Sequence, residues 1–264
     1  MTENLKKYEE MNLEVYIIVN RLYFDKYKKL TSSLPFNTKF IDPATPEASD
    51  FIQKVVELNE KAYGDGMAAP YWAYANFGTI GAGITAGFLV DGTPISQLSL
   101  VGSISDEKVA HEWTLLVDPM LEGQAIGTLT FALVLHLCQD KDFLTFIMQT
   151  DNSSVNIYLK STYPLMITSY GFVHTRTNSF MIKTKIPGAN GFEDLLDTKV
   201  KQYKFEDYPI AEEDAIPNSK CFWVHQDNHK LYQAINESIS QGQKYSIKAK
   251  EQKEKYMYLL IEKE

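Results

Sequence analysis

Residues 117–137 read VDPMLEGQAIGTLTFALVLHL, a strand-like segment followed by a glycine-containing turn and a long apolar run. Gly123 and Gly127 allow the backbone to approach a ligand closely. The start of a helix offers N–H groups without intrahelical partners, together with the positive end of the helix dipole. The stretch therefore predicts a turn that binds a phosphate or pyrophosphate group, with a tight turn that binds nothing as the alternative.

The residues after the second glycine exclude one kind of phosphate-binding loop. Gly127 is followed by Thr128 and Leu129, so the Lys-Ser/Thr pair of a Walker A motif is missing. Hydrolysis of a nucleoside triphosphate is therefore not expected.

Composition narrows the class of protein further. The 264 residues are 44% hydrophobic and 23% charged, which is typical of a globular chain that can bury a large core. A net charge of −8 argues against a nucleic-acid partner. Cys138 and Cys221 lie far apart and outside any CxxC pair, which favours a reduced, cytoplasmic protein without structural zinc. The sequence shows neither a secretory signal nor an apolar run of about 18 residues, so no membrane partner is expected.

The elements around residues 117–137 alternate between strands and helices. Residues 39–41 look like a short strand, and Thr45 followed by Pro46 predicts the start of an amphipathic helix. Residues 84–117 predict three antiparallel strands with turns at Asp91-Gly92 and Ser105-Asp106. A helix over about 126–139, a strand over 143–150, a short helix and two closing strands that end near residue 186 complete the pattern.

This order of elements resembles the GNAT superfamily of acyl-CoA-dependent N-acetyltransferases. In that family the segment entering the cofactor turn typically reads V-x-P-x-x-[R/Q]-G-x-G-[I/V]-G, and the later helix is commonly followed by Gly-Phe. The matching residues here are Val117, Pro119, Gly123, Ile126, Gly127 and the pair Gly171-Phe172. Two residues depart from the pattern, because Glu122 replaces Arg or Gln and Ala125 replaces a glycine.

The resemblance covers residues 37–186 and implies an α/β (α+β) fold. It predicts a mixed, mostly antiparallel central sheet flanked by helices, with extensions over residues 1–36 and 187–264. It implies acyl transfer from acetyl-CoA to a primary amine of a small molecule or peptide, without a metal. The alternative is a catalytically silent module of the same fold that binds a ligand or partner. The residues implied in coenzyme A binding are Leu115, Leu116, Val117, Gly123, Gln124, Ala125, Ile126, Gly127, Thr128 and Asn152.

The family commonly deprotonates the amine near the strand that precedes the turn, and it often protonates the departing thiolate with a tyrosine. The titratable residues on this strand are His111 and Glu112. In a regular strand His111 shares a face with Val117 and Glu112 lies on the other, but a bulge would reverse this assignment. Tyr158 is the candidate acid, because its spacing from residues 151–154 fits the family's N-x-x-A-x-x-x-Y helix.

The C-terminal extension is rich in apolar and aromatic residues, and it ends in YMYLLI at residues 256–261. Such residues need a surface to cover. We expect the extension to pack on the core of the same chain or on a second copy in a homodimer, and to shape the acceptor side of the cleft.

Overall fold

The computed structural model describes residue 8 and residues 11–64, 69–79, 81, 83–103, 106–150, 155–160, 163–173, 176–186, 196, 199–212 and 214–264. The chain divides into two compact units. The N-terminal unit comprises Met1–Asp142 and Ile186–Asp197, and the C-terminal unit comprises Phe143–Lys185 and Thr198–Glu264. Within the part of the chain that the structure describes, no helix is both long and apolar enough to cross a membrane.

A mostly antiparallel sheet forms the centre of the N-terminal unit. Its strands are β1 (Glu14–Ile18), β2 (Asn37–Ile41), β3 (Gly83–Val90), β4 (Thr93–Pro94), β5 (Ser96–Gly102) and β6 (Val109–Val117). The strands lie in the order β2-β1-β3-β5-β6, and β4 pairs with β3. Strands β1 and β2 are parallel, whereas the other pairs of this unit are antiparallel.

Helices cover both faces of this sheet. They are α1 (Phe24–Thr31), α2 (Ala48–Tyr63), α3 (Tyr71–Thr79) and α4 (Ile126–Leu137). On one face, Tyr74 of α3 accepts a hydrogen bond from Gln97 of β5 at 2.9 Å. On the other face, Thr130 of α4 donates to the hydroxyl of Ser96 at 2.7 Å. Because Ser96 and Gln97 are consecutive strand residues, α3 and α4 lie on opposite faces of the sheet.

Helix α2 lies on the same side of the sheet as α3. Its apolar residues recur at helical spacing and form one buried face. Phe51, Ile52 and Val55 are buried in one core cluster with Tyr16 and Tyr74. Burial of this amphipathic face stabilises the helix more than its intrinsic propensity does.

The C-terminal unit has its own antiparallel sheet, in the order β7-β9-β8-β11-β12-β10. Its elements are β7 (Phe143–Gln149), α5 (Val155–Leu159), β8 (Leu165–Val173), β9 (Arg176–Lys185), β10 (Cys221–His225), α6 (His229–Ser240), β11 (Tyr245–Lys253) and β12 (Tyr256–Lys263). Helix α6 packs on β8, where the ring of Tyr232 lies 5.1 Å from that of Tyr170 and 5.0 Å from that of Phe180.

The structure confirms the predicted fold class and several of the predicted elements. Strands β3, β5 and β6 form the antiparallel meander, and residues 256–261 lie in a strand that pairs with β10 and β11. The predicted division at residues 36 and 186 remains a prediction. The predicted turn residue Ser105 lies outside the described residues.

Four local predictions were wrong or incomplete. Helix α2 begins at Ala48, not at Pro46, because the Thr45 hydroxyl donates to the carbonyl of Asp42 and does not cap the helix. Helix α4 ends at Leu137, two residues early. The pair Gly171-Phe172 lies within β8, a strand that starts before it. Strand β1 and helix α3 were not predicted.

Candidate functional site

The end of β6 is fixed by the side chain of Asp118. Its Oδ1 accepts a hydrogen bond from the N–H of Met120 at 2.9 Å, which starts a short 3-10 helix over Pro119–Leu121. Its Oδ2 lies 2.7 Å from Nζ of Lys61 on α2. Burial alone would raise the pKa of Asp118, but the bonds from Lys61 and Met120 outweigh this effect and hold the pKa below its usual value. The carboxylate therefore remains ionised and anchors the entry to the turn.

The turn itself contains two residues in the left-handed region. Gly123 has φ 79°, and a Cβ at this position would meet nothing within 4 Å. Ala125 has φ 60° and ψ 17°, a conformation that costs an L-residue about 1–2 kcal/mol. The glycine that the family usually carries at this position would avoid this cost. Ala125 precedes α4 and makes no side-chain capping bond.

The first turn of α4 contains backbone donors without an intrahelical acceptor. The N–H of Leu129 donates to the carbonyl of Ala125 at 3.1 Å, and this is the first hydrogen bond of the helix. The N–H groups of Ile126, Gly127 and Thr128 therefore have no intrahelical acceptor. With the positive end of the helix dipole, they form a site that suits an anionic oxygen.

Glu122 stands in the turn just before this site. The residue is exposed, and the backbone after it turns into the left-handed region at Gly123. A solvated carboxylate is screened by water and salt, so its repulsion of a bound anion is weak. This substitution in the motif is therefore compatible with phosphate binding.

Helix α4 is held rigidly behind the turn. All of its residues, from Ile126 to Leu137, are buried, as expected for a helix that is apolar on every side. The hydroxyl of Thr130, besides its bond to Ser96, lies 2.8 Å from the carbonyl of Ile126. Because the helix cannot shift without losing this packing, the strained conformation of Ala125 is maintained.

A β-bulge in β6 decides which side chains share a face. Thr114 pairs with Ser99, but the next pair joins Glu112 to Leu100, so Trp113 is an additional residue between the two pairs. Such a residue reverses the alternation of side chains along the strand. A regular strand would place His111 on the face of Val117, and the bulge places Glu112 there instead.

The two candidate bases consequently lie on opposite faces of β6. Glu112 pairs with Leu100 and lies on the face of Leu115 and Val117, towards α4; its side chain is buried. His111 lies with Thr114 and Leu116 on the face towards α3, and it is half-buried. Of these two residues, only His111 therefore shares a face with the polar side chains of Gln97 and Ser99, which lie beneath α3.

The remaining residues that were assigned from the sequence belong to both units. Residues 115–117 of β6 and residues 123–128 lie in the N-terminal unit, before and along the turn. Tyr158 belongs to the C-terminal unit, where it is buried with its ring stacked 4.1 Å from that of Phe146. Asn152 lies outside the described residues. The roles of Tyr158 and Asn152 remain predictions.

Two tyrosines near the turn were missed in the sequence. The hydroxyl of Tyr8 donates to the carbonyls of Gln124 at 3.4 Å and of Ala125 at 3.3 Å, and burial raises the pKa of Tyr8 to about 12. The hydroxyl of Tyr63 donates to the carbonyl of Leu115 at 3.1 Å. Both bonds span many residues of sequence, so no local motif indicates them.

Comparison with known proteins finds similarity only at the level of structure. No protein-family model matches the chain, and no curated protein sequence matches it. Solved structures similar to it include a GNAT-family acetyltransferase from Streptococcus pneumoniae, at 13% identity over 55% of this chain and 96% of that chain, with a TM-score of 0.44.

Two further similar structures carry ligands. One is the diaminobutyrate acetyltransferase from Paenibacillus lautus with its substrate and coenzyme A, at 16% identity over 52% of this chain and 90% of that chain (TM-score 0.44). The other is a CoA-dependent acyl-homoserine lactone synthase, at 10% identity over 70% of this chain and 88% of that chain (TM-score 0.44). Identities and TM-scores as low as these do not indicate the function of this chain.

Replacing Ala125 with Gly should stabilise the protein by up to about 1 kcal/mol. The variant removes the left-handed strain of an L-residue, and the greater chain entropy of glycine offsets part of this gain. Ala132→Gly, inside α4, is the matched control and should destabilise by about 1 kcal/mol or more. Urea denaturation of both variants measures the difference, and an equal loss in both would contradict the geometry of the turn.

Proposed function

We propose that this chain transfers an acyl group from acyl-CoA, with acetyl-CoA as the donor, to a primary amine of a small molecule or peptide. The observation that carries the proposal is the turn before α4, where a left-handed backbone presents the N–H groups of Ile126, Gly127 and Thr128. The pyrophosphate of coenzyme A has the charge and the acceptor oxygens that such a site favours.

The residues around the turn fit this donor. Gly123 leaves open space above the backbone, and Glu122 is exposed. Backbone donors do not depend on side-chain identity, so the replacement of the family's Arg or Gln leaves the main contacts intact. A silent binding module would be favoured if Glu122 blocked the turn or if the segment between Tyr158 and Gly171 interrupted the fold. The segment before Gly171 contains strand β8, which pairs with β9 and β11. Neither observation favours the silent module.

The reaction requires little more than orientation and a neutral nucleophile. The nitrogen lone pair attacks the thioester carbonyl carbon, the C–S bond breaks, and the thiolate of coenzyme A leaves. One proton leaves the amine and one is taken up by the thiolate. Coenzyme A supplies the thioester chemistry, and the protein holds the amine and transfers the protons.

We assign the base to His111. Both His111 and Glu112 are close to the bulge in sequence, but only His111 lies on the face that carries polar side chains beneath α3. A neutral imidazole accepts the proton of the amine and passes it to solvent. Tyr158 remains the proposed acid for the thiolate. We also keep the proposal that the C-terminal extension shapes the acceptor side, in the same chain or in a homodimer.

The first test measures acetyl-CoA binding by calorimetry. Gly127→Val should weaken binding at least tenfold, because the side chain hinders approach to the N–H groups of the first helical turn. Gly92→Val is the control, since it introduces the same side chain in the turn between β3 and β4, away from α4. Equal affinity of wild type and Gly127→Val, with both folded, would refute the assignment of the turn.

A second test separates the two candidate bases. His111→Asn should lower kcat by about 10²–10⁴-fold and leave the Kd for acetyl-CoA unchanged, because only proton transfer is lost. Glu112→Gln should retain kcat within a few-fold, as its side chain lies on the opposite face. The reverse pattern would assign the base to Glu112, whereas full activity of both variants would leave the proton transfer to water.

A further inference from the structure

A cluster of buried polar side chains lies between the sheet and helices α2 and α3. Its members are Asn59, Tyr74, Thr85, Gln97, Ser99 and Thr114. The hydroxyl of Tyr74 accepts hydrogen bonds from Asn59 at 2.6 Å and from Gln97 at 2.9 Å. The hydroxyls of Thr85 and Ser99 lie 2.8 Å apart. Desolvation raises the pKa of Tyr74 to about 12, so its hydroxyl stays neutral.

Two polar atoms of this cluster are left without a partner among the described residues. They are Oε1 of Gln97 and Oγ1 of Thr114, both buried. Gln97 is fully inaccessible to solvent, whereas Thr114 is half-buried. A buried polar group without a hydrogen bond costs about 1–3 kcal/mol, so a bound group that hydrogen-bonds to these two atoms would be favoured.

The register of the sheet brings these two side chains close together. Thr114 lies opposite Ser99, and Gln97 lies opposite Leu116, so Gln97 and Thr114 are diagonal neighbours on one face. His111 belongs to the same face of β6. The unsatisfied atoms therefore lie on the same face of the sheet as the proposed base, with Thr114 nearer to it along the sheet than Gln97, and on the face opposite Glu112.

An aromatic residue borders the cluster on its solvent side. Trp113, at the bulge, has 36% of its surface exposed, and its ring lies 5.9 Å from the ring of Tyr74. The exposed part of this indole offers stacking area to an apolar or aromatic group. A ligand that reaches Thr114 from solvent would contact Trp113.

The chemistry of the six side chains selects the polar group of the ligand. They are amides and hydroxyls without a charge, and burial of an ammonium among them would be costly. A neutral primary amine donates through its N–H bonds and accepts through its lone pair. It can therefore bond to the amide of Gln97 and to the hydroxyl of Thr114 at the same time.

We propose that Gln97 and Thr114 form the subsite for the amine of the acceptor, and that the acceptor is a small primary amine with an aromatic or apolar group that packs on Trp113. This inference rests on the proposed function, which it extends to the class of acceptor. Gln97 and Thr114 orient the nitrogen, and His111 on the same face takes its proton.

Phenethylamine is the probe, and its binding is measured by calorimetry without acetyl-CoA. Thr114→Val should raise the Kd of phenethylamine about tenfold, because one hydrogen bond is lost, and should raise its KM similarly in the acetylation assay. The Kd for acetyl-CoA should not change. Gln97→Met is a second variant and should act in the same direction.

Thr184→Val is the matched control, because Thr184 in β9 also has a buried hydroxyl without a partner among the described residues. Both Thr→Val variants should keep or raise the melting temperature, since each replaces an unsatisfied hydroxyl with a methyl group. Of these two variants, Thr114→Val should weaken phenethylamine binding and Thr184→Val should leave it unchanged.

The outcomes distinguish a failure of the amine subsite from a failure of the proposed acyl transfer. If phenethylamine does not bind to the wild type, or binds equally well to Thr114→Val, the subsite is wrong, whatever acetyl-CoA does. If acetyl-CoA fails to bind while phenethylamine binding depends on Thr114, the subsite stands and the proposed acyl transfer fails.

Discussion

One additional residue in β6 sets the arrangement of the whole candidate site. With Trp113 between the pairs Thr114–Ser99 and Glu112–Leu100, the strand carries His111 on the side of α3 and Glu112 on the side of α4. A regular strand would exchange the two, and a carboxylate would then lie beside the buried amides and hydroxyls. The bulge also leaves the indole of Trp113 partly exposed next to Tyr74. The proposed proton transfer, the proposed acceptor contact and the polar cluster all depend on this register.

The turn before α4 shows how packing maintains an unfavourable backbone conformation. Ala125 adopts a left-handed conformation that glycine would adopt more easily. It persists because the helix behind it is buried along its whole length and bonded through Thr130 to Ser96. Strain of about 1–2 kcal/mol is small beside the burial of a twelve-residue apolar helix. The first-turn N–H groups are thereby fixed in position before any ligand arrives, which lowers the cost of binding.

The sequence predicted the elements that are formed by a pattern of neighbouring residues. The alternation in residues 84–117, the spacing of Phe51 and Val55, and the apolar run after Gly127 identified the meander, α2 and α4. Strand β1 lies in a segment with mixed charges, and pairing with β2 and β3 stabilises it. Helix α3 carries glycine and aromatic residues without clear amphipathicity, so only its tertiary contacts reveal it. The bulge at Trp113 depends on the register with β5, and the pairing of Gln97 with Tyr74 joins residues far apart in sequence. Neither is encoded in a motif.

The most direct test of this account is amide hydrogen exchange with and without acetyl-CoA. In the free protein the N–H groups of Ile126, Gly127 and Thr128 have no intrahelical acceptor and should exchange quickly, although the rest of α4 is protected. Saturating acetyl-CoA should slow exchange at these three residues more than anywhere else in the N-terminal unit. Unchanged exchange at residues 126–128 in a protein that binds acetyl-CoA would contradict the account, because the cofactor would then bind at another place.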